Sequence, residues 1–218
     1  MLKHLDVTCI EVSGARRYST PAGVFPSVTT ILRATKDMSG LDRWRKRVGE
    51  KEADRILRES SARGKLVHAI LEKYLLEGVE GSGPWWDSMQ PVLQDISNVQ
   101  LVEGPLYHAG VGFAGTADFI AHWRGVLTLG DWKTARKRRD KRQYVEDYFL
   151  QAAAYTGAAN VHYNLNIAQA AVFIALKDEP AQVFVLNRDE LISYWLEFRN
   201  RAKMYASATT EFLQETFA

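Results

Sequence analysis

Asp118, in Gly115-Thr-Ala-Asp118-Phe119, and Asp131, in Gly130-Asp131-Trp132-Lys133-Thr134, lie equally far from the dipeptide Arg124-Gly125. A two-residue turn there would join two antiparallel strands with Trp123 facing Val126 and Asp118 facing Asp131. Opposed side chains share a sheet face with Cβ atoms roughly 5 Å apart. Lys133, two residues past Asp131, returns to that face. Paired carboxylates repel unless a proton or a cation sits between them. A hard divalent ion suits the gap, because Mg²⁺ takes carboxylate, water and phosphate oxygens. A lysine beside metal and phosphate aligns a water or offsets developing negative charge. The implied chemistry is metal-dependent phosphodiester hydrolysis. The plainer alternative, two exposed strand-end aspartates, fits poorly with the apolar runs around both and with the low strand preference of aspartate.

Further candidates lie on helical patterns. His68 and Glu72 stand four apart in Gly64-Lys-Leu-Val-His68-Ala-Ile-Leu-Glu72 and share a helix face. His68 is a ligand or a structural histidine; Glu72 is a supporting carboxylate behind the metal or a solvated charge. Gln151 and Tyr155 also stand four apart, with three alanines between them that let the helix approach a sheet. They either bind a phosphate and brace the lysine, or are a surface amide and a core tyrosine. Arg136, Lys137, Arg138, Arg139, Lys141 and Arg142 follow closely on Lys133, placed for backbone phosphate contact. Arg43-Trp-Arg-Lys-Arg47 mixes cations with an aromatic, as single-strand binding favours, although Trp44 also serves as a helix core residue.

These residues need a helical N-terminal part, a β-meander and a closing αββα unit. Residues 5–25 read as short strands and turns. Ser27 is placed to cap a helix over Val28–Leu32. Helical spacing runs from Leu41 to about Glu77, with breaks expected at Gly49 and Gly64, and again from about Trp85 to Ile96. Strands are expected over Val99–Ala109, Gly112–Trp123 and Val126–Lys133, then a helix over about Glu146–Val161. Strands over Ile167–Leu176 and Ala181–Leu186 precede a final helix from about Asp189. This is an α/β (α+β) chain with a central mixed sheet flanked by helices. One domain covers 1–218, helical over about 26–97 and catalytic over about 99–205.

The chain has 218 residues, 46% of them apolar, enough for one substantial core. Its net charge of +2 leaves nucleic-acid affinity to local clusters. A single cysteine, Cys9, excludes an internal disulfide, a four-cysteine zinc site and a four-cysteine iron–sulfur cluster. No apolar run reaches membrane-spanning length and no targeting segment is recognised, so a cytoplasmic protein, bacterial or phage-encoded, is expected.

Taken together, His68, Gly115-Thr-Ala-Asp118, Asp131-Trp-Lys133 and Gln151-Ala-Ala-Ala-Tyr155 resemble the motif series of the PD-(D/E)xK nucleases, in particular their RecB-like branch. Pro26-Ser-Val-Thr-Thr-Ile-Leu32, Arg43-Trp44 and Tyr155-Thr-Gly-Ala-Ala-Asn160 extend the likeness, over roughly 26–205, to the mitochondrial genome maintenance exonuclease subfamily and its phage and bacterial relatives. The resemblance implies a restriction-endonuclease-like core with a helical segment over the site. It implies an exonuclease degrading single-stranded DNA from its ends with Mg²⁺ or Mn²⁺, without an iron–sulfur cluster, in replication, recombination or repair; a monomer is expected, although the sequence leaves the oligomeric state open. His68, Asp118, Asp131 and the Trp132 carbonyl would bind metal. Lys133 would orient or activate the attacking water, and Gln151 and Tyr155 would contact DNA. Ser27 would hold a phosphate at its helix N-terminus, and Arg136, Lys137 and Arg138 would track the strand. The alternatives are a structure-specific endonuclease on the same scaffold and a non-catalytic module that binds DNA ends.

Overall fold

A computed structural model describes residues 1–12 and 14–217, with side chains described through Thr210. Two sheets form. The smaller is an antiparallel meander of β1 (Thr8–Val12), β2 (Ala15–Thr20) and β3 (Gly23–Pro26). The larger has the order β4 (Ile96–His108), β5 (Phe113–Trp123), β6 (Val126–Ala135), β7 (Gln169–Leu176), β8 (Gln182–Leu186). Its pairs are antiparallel except β6–β7, which is parallel. A parallel pair requires a crossover, and α5 (Glu146–Tyr163) supplies it.

The sheet is packed on both faces, so its central strands are almost wholly apolar. On one face α1 (Val28–Ala34), α5 and the long α6 (Arg188–Phe217) enclose Ile120, Leu129, Val172, Phe149 and Phe198. On the other, α3 (Glu50–Glu77) and α4 (Pro84–Leu93) cover Phe119, Trp132 and Phe173 with Val67, Leu71, Trp86 and Met89. α2 (Ser39–Val48) buries no residue in this core. It is held to α3 by Arg45, which bonds Glu50 and reaches Asp54 at 2.8 Å.

The turn after β5 has the two-residue form. Arg124 and Gly125 both have positive φ, 51° and 78°, the backbone a tight hairpin requires, and Trp123 pairs with Val126. Ser27 caps α1, its Oγ accepting from the Thr30 N–H at 2.9 Å. Gly49 does separate α2 from α3. Gly64 breaks nothing: α3 runs through it, because a 28-residue helix packed along one stripe tolerates the roughly 1 kcal/mol cost of a glycine. The helix expected to reach Ile96 stops at Leu93, and Ile96 begins β4 by pairing with Trp123.

Candidate metal and phosphate site

The site grows out of one row of the large sheet. Phe119 pairs with Gly130, the last pair of the β5–β6 ladder, so continued register carries Asp118 to Asp131. On the other side of β5, Val102 pairs with Phe119 and Gly104 with Ala117, which brings Glu103 opposite Asp118. Three adjacent strands thus carry three acidic residues in line: Glu103, Asp118 and Asp131. Two glycines make room for rings packed about this row. A Cβ on Gly130 would come within 1.8 Å of the Phe119 ring, and one on Gly115 within 2.4 Å of the Tyr155 hydroxyl. Phe119 therefore lies over Gly130 and stacks on Trp132, ring centroids 4.3 Å apart, anchoring the strand on the opposite face from the acids.

α3 delivers His68 to this row. Its Nε2 lies 2.9 Å from the Trp132 carbonyl. A carbonyl only accepts, so Nε2 carries the hydrogen and the neutral ring leaves Nδ1 as its lone pair. Nδ1 lies 3.5 Å from Asp118 Oδ1 and 3.7 Å from Glu103 Oε1. Three acceptors then converge, all within 4.8 Å of one another. They need a proton or a cation between them. A set of one imidazole and two carboxylates suits Mn²⁺ or Mg²⁺.

Electrostatics express the same crowding. Burial and then the Asp131 charge push the Asp118 carboxyl up to about 7, against the opposing pull of His68, Lys133 and the Trp132 N–H. That N–H donates to Asp118 Oδ2 at 2.5 Å. Burial lowers His68, but the Glu103 and Asp118 carboxylates beside Nδ1 outweigh it and leave the imidazole raised, so that a proton on Nδ1 is one way to reconcile the three groups. Burial likewise disfavours charge on Lys133, yet Asp131 and Asp118 overcome it and hold the ammonium above the usual lysine range. Lys133 Nζ lies 2.5 Å from Asp131 Oδ2 and 5.1 Å from the centre of the Tyr148 ring. Asp131 Oδ2 is fully buried and the contact is not aligned as a hydrogen bond, so it is an ion pair with acceptor capacity to spare. Burial, with Tyr18 and then Asp131 adding to it, pushes the Tyr155 phenol far up, so it stays an O–H donor.

His68, Glu103, Asp118, Lys133, Gln151 and Tyr155 line one cavity of about 210 Å³. Two groups expected as metal ligands are engaged elsewhere: Asp131 is paired with Lys133 and is not among the three converging acceptors, and the Trp132 carbonyl accepts from His68 while its N–H donates to Asp118. Ser27 borders the cavity as well, with its hydroxyl already engaged by Thr29, Thr30 and the cap. Glu72 sits outside, in a neighbouring hollow that shares His68 and Glu103. Of the basic strip, Arg136 reaches Glu59 at 2.6 Å and Arg138 reaches Glu179 at 3.7 Å, while Lys137 is exposed.

Glu103 was missed by sequence reasoning. Its signal was an acid within the apolar strand pattern Val102-Glu103-Gly104-Pro105-Leu106. Its register depended on the loop after His108, whose length the sequence left open. Glu103 also has φ 44°, in the left-handed region that non-glycine residues rarely adopt. Such strain concentrates where structure serves a site.

The fold and site define a mixed-sheet α/β domain with a candidate divalent-metal centre beside a half-buried lysine. The chain is similar to proteins named mitochondrial genome maintenance exonuclease 1. It is 32% identical to that of Xenopus tropicalis over 93% of this chain and 63% of the relative. Against the Mus musculus protein it is 30% identical over 83% and 58%, and against the Homo sapiens protein 29% over 84% and 58%. The chain thus spans about three fifths of the length of these homologues. No protein-family profile matches. A crystal structure of SSO0001 aligns with 14% identity and a TM-score of 0.35, over 72% of this chain and 67% of that one, too distant to carry an argument.

Proposed function

We propose that this chain is a divalent-metal-dependent exonuclease of the PD-(D/E)xK type that hydrolyses single-stranded DNA from its ends during DNA maintenance. The observation that carries the reading is the convergence of His68 Nδ1, Asp118 Oδ1 and Glu103 Oε1 beside the Asp131–Lys133 pair. His68, Glu103 and Asp118 would hold the metal, with Asp131 in reserve through Lys133. Bound there, a divalent ion supplies Lewis acidity toward a phosphoryl oxygen and lowers the pKa of a coordinated water. The Trp132 carbonyl fixes the His68 tautomer, as outer partners of ligating histidines do. Lys133, held protonated by Asp131, is a donor at neutral pH; it orients the attacking water through a lone pair and offsets charge growing on the phosphate. Tyr155 and Gln151 offer neutral donors from the α5 wall.

Single-strand preference is supported by the groove that continues from this cavity. It has a volume of about 570 Å³, shares Thr29 and Gln151 with the site, and runs between α1, α2, α3 and α5. Leu32, Met38, Leu41 and Tyr148 give it apolar walls, Arg33 brings a cation, and Lys36 is paired with Asp147 on the same rim, where Asp37 also lies. Unstacked bases and a phosphate chain suit that mixture; the homologues' name supports action as an exonuclease.

The test is digestion of 5′- and 3′-labelled linear single strands beside duplex and circular single strands, with Mg²⁺, Mn²⁺ or chelator. Linear strands should be degraded only with metal and circles left intact. Cleaved circles would favour an endonuclease; metal-independent binding without nucleotide release would favour an end-binding module.

A further inference from the structure

The small N-terminal sheet brings a cation into the site. Arg16, on β2, borders the same cavity as Asp118, Lys133 and Tyr155. Its guanidinium donates to the Tyr18 hydroxyl and lies over that ring, 5.1 Å from the centroid. Tyr18 is 2% exposed and belongs to the core, so it is a fixed platform. Elsewhere in this protein arginines beside carboxylates pair with them: Arg45 with Glu50 and Asp54, Arg55 with Glu52 and Glu59, Arg136 with Glu59, Arg142 with Glu190. Among the described residues no carboxylate lies within ion-pair distance of Arg16, although three carboxylates occupy the same site.

The cavity draws its charges from two sheets: Glu103, Asp118 and Lys133 from the large one and Arg16 from the small one. One wall carries Glu103 and Asp118 and attracts a cation. Lys133 is already committed to Asp131. Arg16 is the remaining cation, with donors to spare beyond the one that Tyr18 receives. A guanidinium presents five donors in a planar fork that matches two oxygens of a phosphate.

We propose that Arg16 binds a phosphodiester of the DNA strand next to the one being cleaved, and that Tyr18 positions the guanidinium for it. The N-terminal sheet then forms part of the substrate site. This rests on the nuclease reading. Arg16 acts on strand binding, because the scissile phosphate faces the metal ligands and Lys133 on the other wall.

Single-strand binding is measured by fluorescence anisotropy over a salt series with Mg²⁺, using a Lys133→Gln background to slow cleavage, and cleavage kinetics are measured with Lys133 intact. Arg16→Gln should weaken binding about tenfold and lower the slope of log K against log[salt] by about 0.7, the single-strand value for one lost phosphate contact. It should raise KM about tenfold and leave kcat within threefold. Arg16→Lys should keep the salt slope and recover part of the affinity. Tyr18→Phe should weaken binding with Arg16 present and add nothing to Arg16→Gln, a coupling that a merely structural tyrosine would not show. An unchanged slope and KM in Arg16→Gln, with metal-dependent cleavage intact, overturns the Arg16 proposal alone. A chain that neither cleaves nor binds with Arg16 intact instead removes the nuclease reading beneath it.

Discussion

Lys133 and Asp131 hold each other in place: the side chains are 18% and 2% exposed and each is the other's close countercharge. Removing one member of such a pair leaves a buried charge unmatched, at a cost of about 3–5 kcal/mol. Lys133→Ala should therefore lower metal-free stability by that order in urea unfolding, whereas the double variant Asp131→Asn/Lys133→Ala should lose less than Lys133→Ala does. Catalysis should fall at least about 10²-fold in Lys133→Ala under single-turnover conditions, the scale of losing one donor to developing charge. Asp118 makes a pH prediction. Its folded pKa of about 7 lies above the unfolded value of 3.8, so its contribution to metal-free stability is complete in acid and is lost as pH rises through about 7. The metal-free Tm should fall between about pH 4 and 7 by this contribution and level off above, Mg²⁺ or Mn²⁺ should restore it most at pH 8, and Asp118→Asn should flatten the dependence. Differential scanning calorimetry with and without chelator checks all three. Asp118, Asp131 and Lys133 were legible as a set because a two-residue turn leaves no freedom in strand arithmetic. Glu103 was not, because the four residues between His108 and Phe113 admit several registers.

At the scale of elements, the β5–β6 hairpin is the rigid part. Phe119, Gly130 and Trp132 form a stacked unit beneath the acidic row, and the gap over Gly130 is filled by the Phe119 ring. Gly130→Ala should cost about 1–3 kcal/mol through overpacking, read as a lower Cm at unchanged m-value. Gly115→Ala should instead move the Tyr155 phenol and depress turnover more than stability, so steady-state kinetics and thermal melts on the two variants should diverge. Helix ends were harder to read than hairpins. The stretch after Leu93 has helical spacing, yet pairing with Trp123 draws Ile96 into a strand, a long-range gain that local pattern does not contain. Gly64 is the converse case, a local breaker overridden by the packing of α3 on the sheet.

For the whole molecule, one sheet is shared by two cores. Phe149 and Phe198 belong to one and Met89 and Leu93 to the other. Because the strands between them contribute side chains to both, the cores should melt together. Leu93→Ala and Phe149→Ala should each cost about 2–5 kcal/mol and shift a single transition seen alike by tryptophan fluorescence and circular dichroism. Charge is also organised globally. The run after Lys133 looked in the sequence like a free track for phosphate, but Arg136, Arg138 and Arg142 fold against Glu59 of α3, Glu179 of the β7–β8 turn and Glu190 of α6. Any phosphate there competes with these exposed pairs, which are individually weak.

The sequence by itself determined the hairpin and its acids, the Ser27 cap, the Gln151–Tyr155 face of a helix and the order of strands and helices, since each follows from periods of two or 3.6 residues and from turn chemistry within a short window. Only the tertiary structure decided that Glu103 joins His68 and Asp118, that the Trp132 carbonyl engages His68 Nε2, that Arg16 enters the cavity and that the basic run finds carboxylate partners. Those contacts link residues tens to more than a hundred positions apart. Their geometry is set by sheet register and by helices crossing two packed faces, and no local pattern records it.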